Sequence, residues 1–207
     1  MAHTRDPKAV SPYTADEALA RLVAGNDRFV KGEARFPTVQ KDVLAALAKE
    51  QHPYATVLGC SDSRVPPELL FDAGFGELFV IRVAGNVVSP EIMGTLQYAG
   101  VHLRTPLFVV LGHEGCGAVN AALAAKALSP EPAHISRLLD DILPGLRDLP
   151  HASSPQQQMR LAVEANTRWS MRQILETPEA KARTVEGRMK LVGGIYELET
   201  GRVRFLE

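Results

Sequence analysis

Apolar blocks of strand length alternate along the chain with longer stretches whose apolar residues recur at helical spacing, which predicts a parallel sheet covered by helices. The strand candidates are YATVLG at 54–59, ELFVIRV at 77–83, PLFVVLG at 106–112 and MKLVGGIYEL at 189–198. A turn at Glu199, Thr200 and Gly201 leads into a short RVRFLE strand, so an antiparallel hairpin is expected to close one sheet edge. The helices announce their starts. Thr14 with Glu17 three residues on makes a capping box, and Leu19, Leu22, Val23, Phe29 and Val30 carry the apolar spacing to Gly32. Ser89-Pro90-Glu91 opens another helix, with proline where its missing N–H does no harm, and Ser154-Pro155 opens a third that ends near Thr177-Pro178.

The predicted fold class is therefore α/β: a mainly parallel β-sheet flanked by helices, with a C-terminal antiparallel edge hairpin and an N-terminal helical arm. Residues 1–50, largely helical and ahead of the first strand, are expected to form that arm, outside the core but part of the same domain. Residues 51–207 make up the α/β unit, with no internal repeat, low-complexity tract or linker to divide it.

Composition narrows the function. With 207 residues, 45% of them apolar and 23% charged, the chain can bury the core of one domain. A net charge of -1 and a pI near 6.6 argue against a broad nucleic-acid surface, leaving small substrates or protein partners. No apolar run approaches the ~20 residues that cross a bilayer. The opening MAHTRDPKAV lacks the apolar core of a secretory signal, so the expected location is cytoplasmic, without a membrane partner. In that reducing compartment two cysteines point to free thiols or metal ligands before a structural disulfide.

Those cysteines, Cys60 in GCSDSR and Cys116 in GHEGCG, each follow an apolar strand candidate and sit in runs of small and polar residues. Strand ends that break into such turns are where an α/β sheet presents its chemistry. His113 lies three residues before Cys116, and Cys60 joins the pair if the strands ending at Gly59 and Gly112 are neighbours. Two thiolates and an imidazole suit zinc, and three protein ligands leave a fourth position for water. After Cys60, Asp62 can accept a hydrogen bond from that water, with Arg64 holding the carboxylate ionised and fixed in direction. Asp62 can instead bind the zinc itself as fourth ligand and close the shell. The competing readings are buried apolar cysteines, a redox pair, and a turn-stabilising Asp62–Arg64 ion pair.

At these residues the chain resembles the β-class carbonic anhydrases. The resemblance is carried by CSDSR at Cys60 to Arg64, GHEGCG at Gly112 to Gly117, GELFVIRVAGN between them, TLQYA at Thr95 to Ala99 and the closing GGIYELETG. It implies a zinc enzyme interconverting carbon dioxide and bicarbonate, and makes residues 51–207 a zinc-binding catalytic domain. It further implies a homodimer, often doubled to a tetramer, with active sites at the subunit boundary and the N-terminal arm packed on the partner. Carried over residue by residue, Cys60, His113 and Cys116 match the zinc ligands, and Asp62 and Arg64 the catalytic dyad. Gln51 matches a glutamine that donates to substrate, Phe79 and Tyr98 match aromatic walls of the carbon dioxide pocket, and Ala84 falls where the family often has a larger apolar residue. No proton shuttle stands out among His52, His102 and His134.

One departure from the family pattern carries a prediction. A subgroup is inhibited by bicarbonate bound away from the metal, using a tryptophan three residues before the first zinc cysteine together with an arginine and a tyrosine. Arg82 and Tyr196 match the latter two, but the tryptophan position is Val57 and the only tryptophan is Trp169. The inhibitory site is therefore expected to be missing and the state with water on zinc to be favoured. Two other functions share the same residues: hydrolysis of carbon disulfide or carbonyl sulfide, and a non-catalytic zinc protein with Asp62 as permanent fourth ligand.

Overall fold

Five strands form one sheet: β1 (Ala55–Gly59), β2 (Leu78–Arg82), β3 (Leu107–His113), β4 (Lys190–Tyr196) and β5 (Val203–Phe205), in the order β2-β1-β3-β4-β5. The first four run parallel and β5 pairs antiparallel with β4, which is the expected edge hairpin. The computed structural model describes residues 12–35, 41–125 and 132–206. Residues 1–11 and 36–40 of the expected arm, and Glu207 at the end of the hairpin, lie outside them.

Strand alternation feeds two cores. Val57, Val109, Leu111 and Ile195 face the larger one, built with α5 (Gly117–Ala125), α6 (Ala133–Ile142) and α7 (Pro155–Leu175). Leu58, Ile81, Phe108 and Val110 face the smaller one, covered by α4 (Pro90–Tyr98) and α8 (Pro178–Val185). Caps hold where the sequence predicts them. The Thr14 and Ser154 hydroxyls accept from the backbone N–H of Glu17 and Gln157, and Ser89 from that of Ile92.

The first helix, α1 (Ala15–Lys31), is tied into the domain rather than standing off it: Ala18 and Leu22 are fully buried in the larger core. Asn26 explains the attachment. Its Nδ2 donates to the carbonyls of Leu70 at 3.1 Å and Gly201 at 2.8 Å, and its Oδ1 accepts from the N–H of Val203 at 2.9 Å. One buried amide thus bonds α1 to α3 (Pro67–Leu70) and to the hairpin. Val23, on the apolar line read from the sequence, is instead 41% exposed. The second short helix, α2 (Lys41–Leu47), completes the arm.

β1 and β3 are direct neighbours, with Gly59 opposite Leu111 in the register. Their C-terminal ends therefore open side by side, and the crevice beyond them is where parallel α/β sheets place ligands.

Candidate functional site

The site is built from two adjoining strand ends and the start of a helix. Cys60 follows the last residue of β1, His113 is the last residue of β3, and Cys116 immediately precedes α5, accepting on its carbonyl from the N–H of Asn120 at 3.0 Å. Alternation along β3 sends His113 to the same face as Val109 and Leu111. Gly112 beside it has a close neighbour: a Cβ there would lie 2.3 Å from Thr167 Oγ1, so α7 approaches β3 only because that position is glycine.

The ligand atoms of Cys60, His113 and Cys116 all lie within 4.8 Å of one another, and all three residues are buried. The two Sγ atoms stand 4.0 Å apart, with neither cysteine in a disulfide. His113 Nδ1 donates to the Glu114 carbonyl at 2.8 Å, which leaves the Nε2 lone pair free. That Nε2 is buried and has no hydrogen-bond partner among the described residues. A buried imidazole nitrogen left unpaired beside two thiols is what a soft divalent cation would satisfy, and the donor set fits zinc.

The thiols titrate as a pair. Cys60 is pulled down to about 4, first by its hydrogen bond with Cys116 against the opposing pull of burial, then by His113 and by the backbone N–H groups of Gly85 and Asp62. Cys116 is pushed far up, first by the Cys60 thiolate and then by burial. The first proton is thus shed easily and the second is held by a neighbouring negative charge, a charge that a bound cation would neutralise.

Asp62 and Arg64 face this cluster. Arg64 grips the Asp62 carboxylate through Nε to Oδ1 at 2.9 Å and Nη2 to Oδ2 at 2.8 Å, with its backbone N–H on Oδ1 at 3.0 Å. The Arg64 side chain, more than its backbone N–H or His113, holds the Asp62 carboxyl well below the usual carboxylate range despite burial acting the other way. Asp62 Oδ2 lies 4.0 Å from His113 Nε2.

Arg82 has a role that the sequence did not reveal. Its Nε donates to the Cys60 carbonyl at 2.9 Å and its Nη2 to the Asp62 carbonyl at 2.6 Å, so one guanidinium fixes the backbone at both residues. Ala84 opens a 3-10 turn, Ala84–Asn86, whose Gly85 N–H donates to Cys60 Sγ at 3.4 Å. Val57 is fully buried in the larger core. Tyr196 pairs with His113 in the β3–β4 register, with burial raising its pKa. Trp169 lies on α7, bonded through Nε1 to the Asp141 carbonyl at 3.0 Å.

The remaining sequence candidates lie elsewhere in the same chain. Gln51 is exposed in the segment that enters β1 at the end opposite Cys60. Phe79 and Tyr98 pack together, ring centroids 6.1 Å apart, with Phe79 on the smaller core across the sheet and Tyr98 45% exposed. His102 stacks on Tyr98 at 5.0 Å, His52 pairs with Glu50 at 3.0 Å, and His134 is exposed on α6.

Comparison with known proteins gives these positions a context. A sequence profile described as carbonic anhydrase matches residues 55–203. Carbonic anhydrase 2 of Mycobacterium tuberculosis is 37% identical over 204 residues, covering 93% of this chain and 91% of its own length. The solved structure of the β-carbonic anhydrase CcaA superposes with a TM-score of 0.75 at 28% identity, covering 91% of this chain and 87% of that one. A Coccomyxa β-carbonic anhydrase, solved in complex with acetazolamide, superposes at 0.72 with 29% identity, covering 91% and 86%.

Proposed function

Because the chain belongs to the β-class carbonic anhydrases, we propose that it is a zinc enzyme interconverting carbon dioxide and bicarbonate, with Cys60, His113 and Cys116 as metal ligands and Asp62 with Arg64 as the catalytic pair. The observation that carries this reading is the unpaired Nε2 of His113, which shares a buried cluster with two thiols and faces a carboxylate 4.0 Å away. Zinc, when bound, supplies the positive charge that makes hydroxide available from water near neutral pH, although two thiolates weaken that effect relative to neutral ligands.

The chain's own residues do the rest. Cys60 and Cys116 bind as thiolates and His113 as a neutral imidazole through Nε2, the tautomer selected by the Nδ1 bond to Glu114. Asp62 accepts the O–H of the attacking water at a carboxylate oxygen and so aims its lone pair at carbon dioxide. Arg64 keeps Asp62 ionised and fixes the plane of the carboxylate. With both carboxylate oxygens accepting from Arg64, Asp62 is engaged by its partner, which supports the state with water as the fourth ligand and fits Val57 in place of the tryptophan. A crystal structure of the zinc-loaded protein at neutral pH with Asp62 on the metal would sink that part of the reading.

The assembly that completes such a site is a homodimer, or a dimer of dimers, in which Gln51, Phe79 and Tyr98 of one protomer line the pocket of its partner. Tyr98 and Val101 are 45% and 52% exposed, apolar surface that a second copy would cover. The reduced cysteine pair suits a cytoplasmic location. No helix among the described residues is long and apolar enough to cross a membrane.

Stopped-flow carbon dioxide hydration on protein of measured zinc content tests the activity. Zinc-dependent turnover from about pH 7 to about pH 9 is expected. Stoichiometric zinc with no hydration anywhere in that range would overturn the catalytic reading, and turnover of carbon disulfide alone would redirect it.

A further inference from the structure

Helix α7 reaches the metal cluster without supplying a ligand, through the Ala84–Asn86 turn. Within that turn Gly85 has φ 67° and Asn86 φ 45°, consecutive residues in the left-handed region, where an asparagine is tolerated but not favoured. A side chain on Gly85 is strained by φ and would crowd its neighbours as well, since a Cβ there would stand 2.8 Å from Ile142 Cδ1 and 3.1 Å from Ala118 Cβ. Such a conformation persists only if its surroundings hold it.

Two α7 residues one turn apart do so. Asn166 Nδ2 donates to the Gly85 carbonyl at 2.8 Å, and Ser170 Oγ donates to the Asn86 carbonyl at 2.9 Å. Asn166 is 1% exposed, yet its Oδ1 has no partner among the described residues. An apolar side chain of similar size would avoid that orphaned acceptor, so what the amide contributes here is its donor to Gly85.

We propose that Asn166 is a positioning residue for the metal centre: by holding the Gly85 carbonyl it fixes the left-handed Ala84–Asn86 turn, and the fixed turn keeps the Gly85 N–H, in the preceding peptide, aimed at Cys60 Sγ. The inference rests on reading Cys60, His113 and Cys116 as metal ligands. An N–H donor on a thiolate stabilises its charged form and tunes its donor strength, and outer-shell partners of this kind are worth about 10- to 100-fold in metal affinity. Asn166 bonds to the Gly85 carbonyl, in the peptide that follows the one carrying the Gly85 N–H, so it acts through the conformation of the turn rather than on Cys60 directly.

The test compares wild type with Asn166→Ala and with Asn166→Ser, a smaller change whose hydroxyl falls short of Gly85. The control is Asn26→Ala, which removes another buried carbonyl-binding amide, one on α1 bonded to Leu70 and Gly201 rather than to the Ala84–Asn86 turn. The readouts are zinc affinity by chelator competition and, in cobalt-substituted protein, the sulfur-to-cobalt charge-transfer band. Both Asn166 variants should lose about tenfold in zinc affinity and shift the band to lower energy. Asn26→Ala should lower the melting temperature and leave both readouts at wild-type values. Folded Asn166 variants with wild-type affinity and band would overturn the proposal, as would an equal affinity loss in Asn26→Ala. If Asn166→Ala does not accumulate as folded protein, the serine variant carries the same comparison. A wild-type protein that binds no zinc would refute the metal reading itself, a different result.

Discussion

Arg64 meets Asp62 fork to fork, with Nε on Oδ1 at 2.9 Å and Nη2 on Oδ2 at 2.8 Å, and Asp62 Oδ2 lies 4.0 Å from His113 Nε2. Both carboxylate oxygens are held by one planar group, so the face of Asp62 left over is the one turned toward His113 Nε2. Asp62→Asn keeps the shape and removes the charge. It should retain stoichiometric zinc and lose about 100-fold or more in carbon dioxide hydration, measured by stopped flow on protein of known metal content. Arg64→Lys should fall between wild type and Asp62→Asn, because an ammonium cannot reproduce the two parallel bonds.

The thiol pair makes a separate prediction about stability. Two buried thiols that share a proton poorly are relieved by a cation, so zinc binding should be coupled to folding. At free zinc a thousandfold above its dissociation constant, the loaded protein should be about 4 kcal/mol more stable than the chelated one. Cys60→Ser, with only His113 and Cys116 left as strong ligands, should unfold at one midpoint whether zinc or chelator is present. Denaturant titrations of the four combinations check this, and a Cys60→Ser protein still stabilised by zinc would contradict the ligand assignment.

How much of this was legible beforehand depended on whether the cause was local. Thr14 with Glu17, Ser89 before Pro90, and Ser154 before Pro155 mark helix starts through bonds spanning three residues, and all three caps form. Cys60, His113 and Cys116 were legible because motif spacing and strand pairing alone bring them together. Arg82 matches the arginine of the bicarbonate-inhibited subgroup, and only the pairing of β1 with β2 shows its guanidinium on the carbonyls of Cys60 and Asp62. Asn166 carried no signal in its neighbourhood, since its partner Gly85 is 81 residues away. The start of α1 was likewise legible, but not its buried face: packing selects the line of Ala18 and Leu22 and leaves Val23 at the surface.

Acid stability should depend on Asp72. Its side chain is 1% exposed and accepts from Arg28 Nε at 2.5 Å and from Arg35 Nε at 3.0 Å. Burial acts to raise its pKa, but the two guanidiniums and the Arg35 backbone N–H outweigh it, and the net shift is downward. A carboxylate lowered in the folded state contributes stability above its unfolded pKa of about 3.9, and that contribution is lost as pH falls through the lower folded value. Asn is the suitable replacement, because Asp72 has φ 45° and Asn tolerates that region. Asp72→Asn should cost about 1–3 kcal/mol in urea unfolding at pH 6–7, with the gap to wild type narrowing below about pH 4. A gap that stays constant into acid would show that the ionised carboxylate is not its source.

Gly112 and Thr167 should behave as a coupled pair. A methyl at Gly112 would sit 2.3 Å from Thr167 Oγ1, with Ile195 Cδ1 at 3.1 Å and Val163 Cγ1 at 3.3 Å, so Gly112→Ala must push α7 from β3 or displace the backbone that carries His113. Overpacking of this kind costs about 1–3 kcal/mol. Because the next residue is His113, the proposed metal ligand, zinc affinity should fall along with stability. Thr167→Ala removes the closest obstructing atom, whose own bond runs to the Val163 carbonyl within α7 at 2.9 Å. The double variant should therefore recover more than half of the stability lost in Gly112→Ala, with a coupling of at least about 0.5 kcal/mol in a double-mutant cycle. Strictly additive losses, or full zinc affinity in Gly112→Ala, would mean that the contact between α7 and β3 does not set the position of His113.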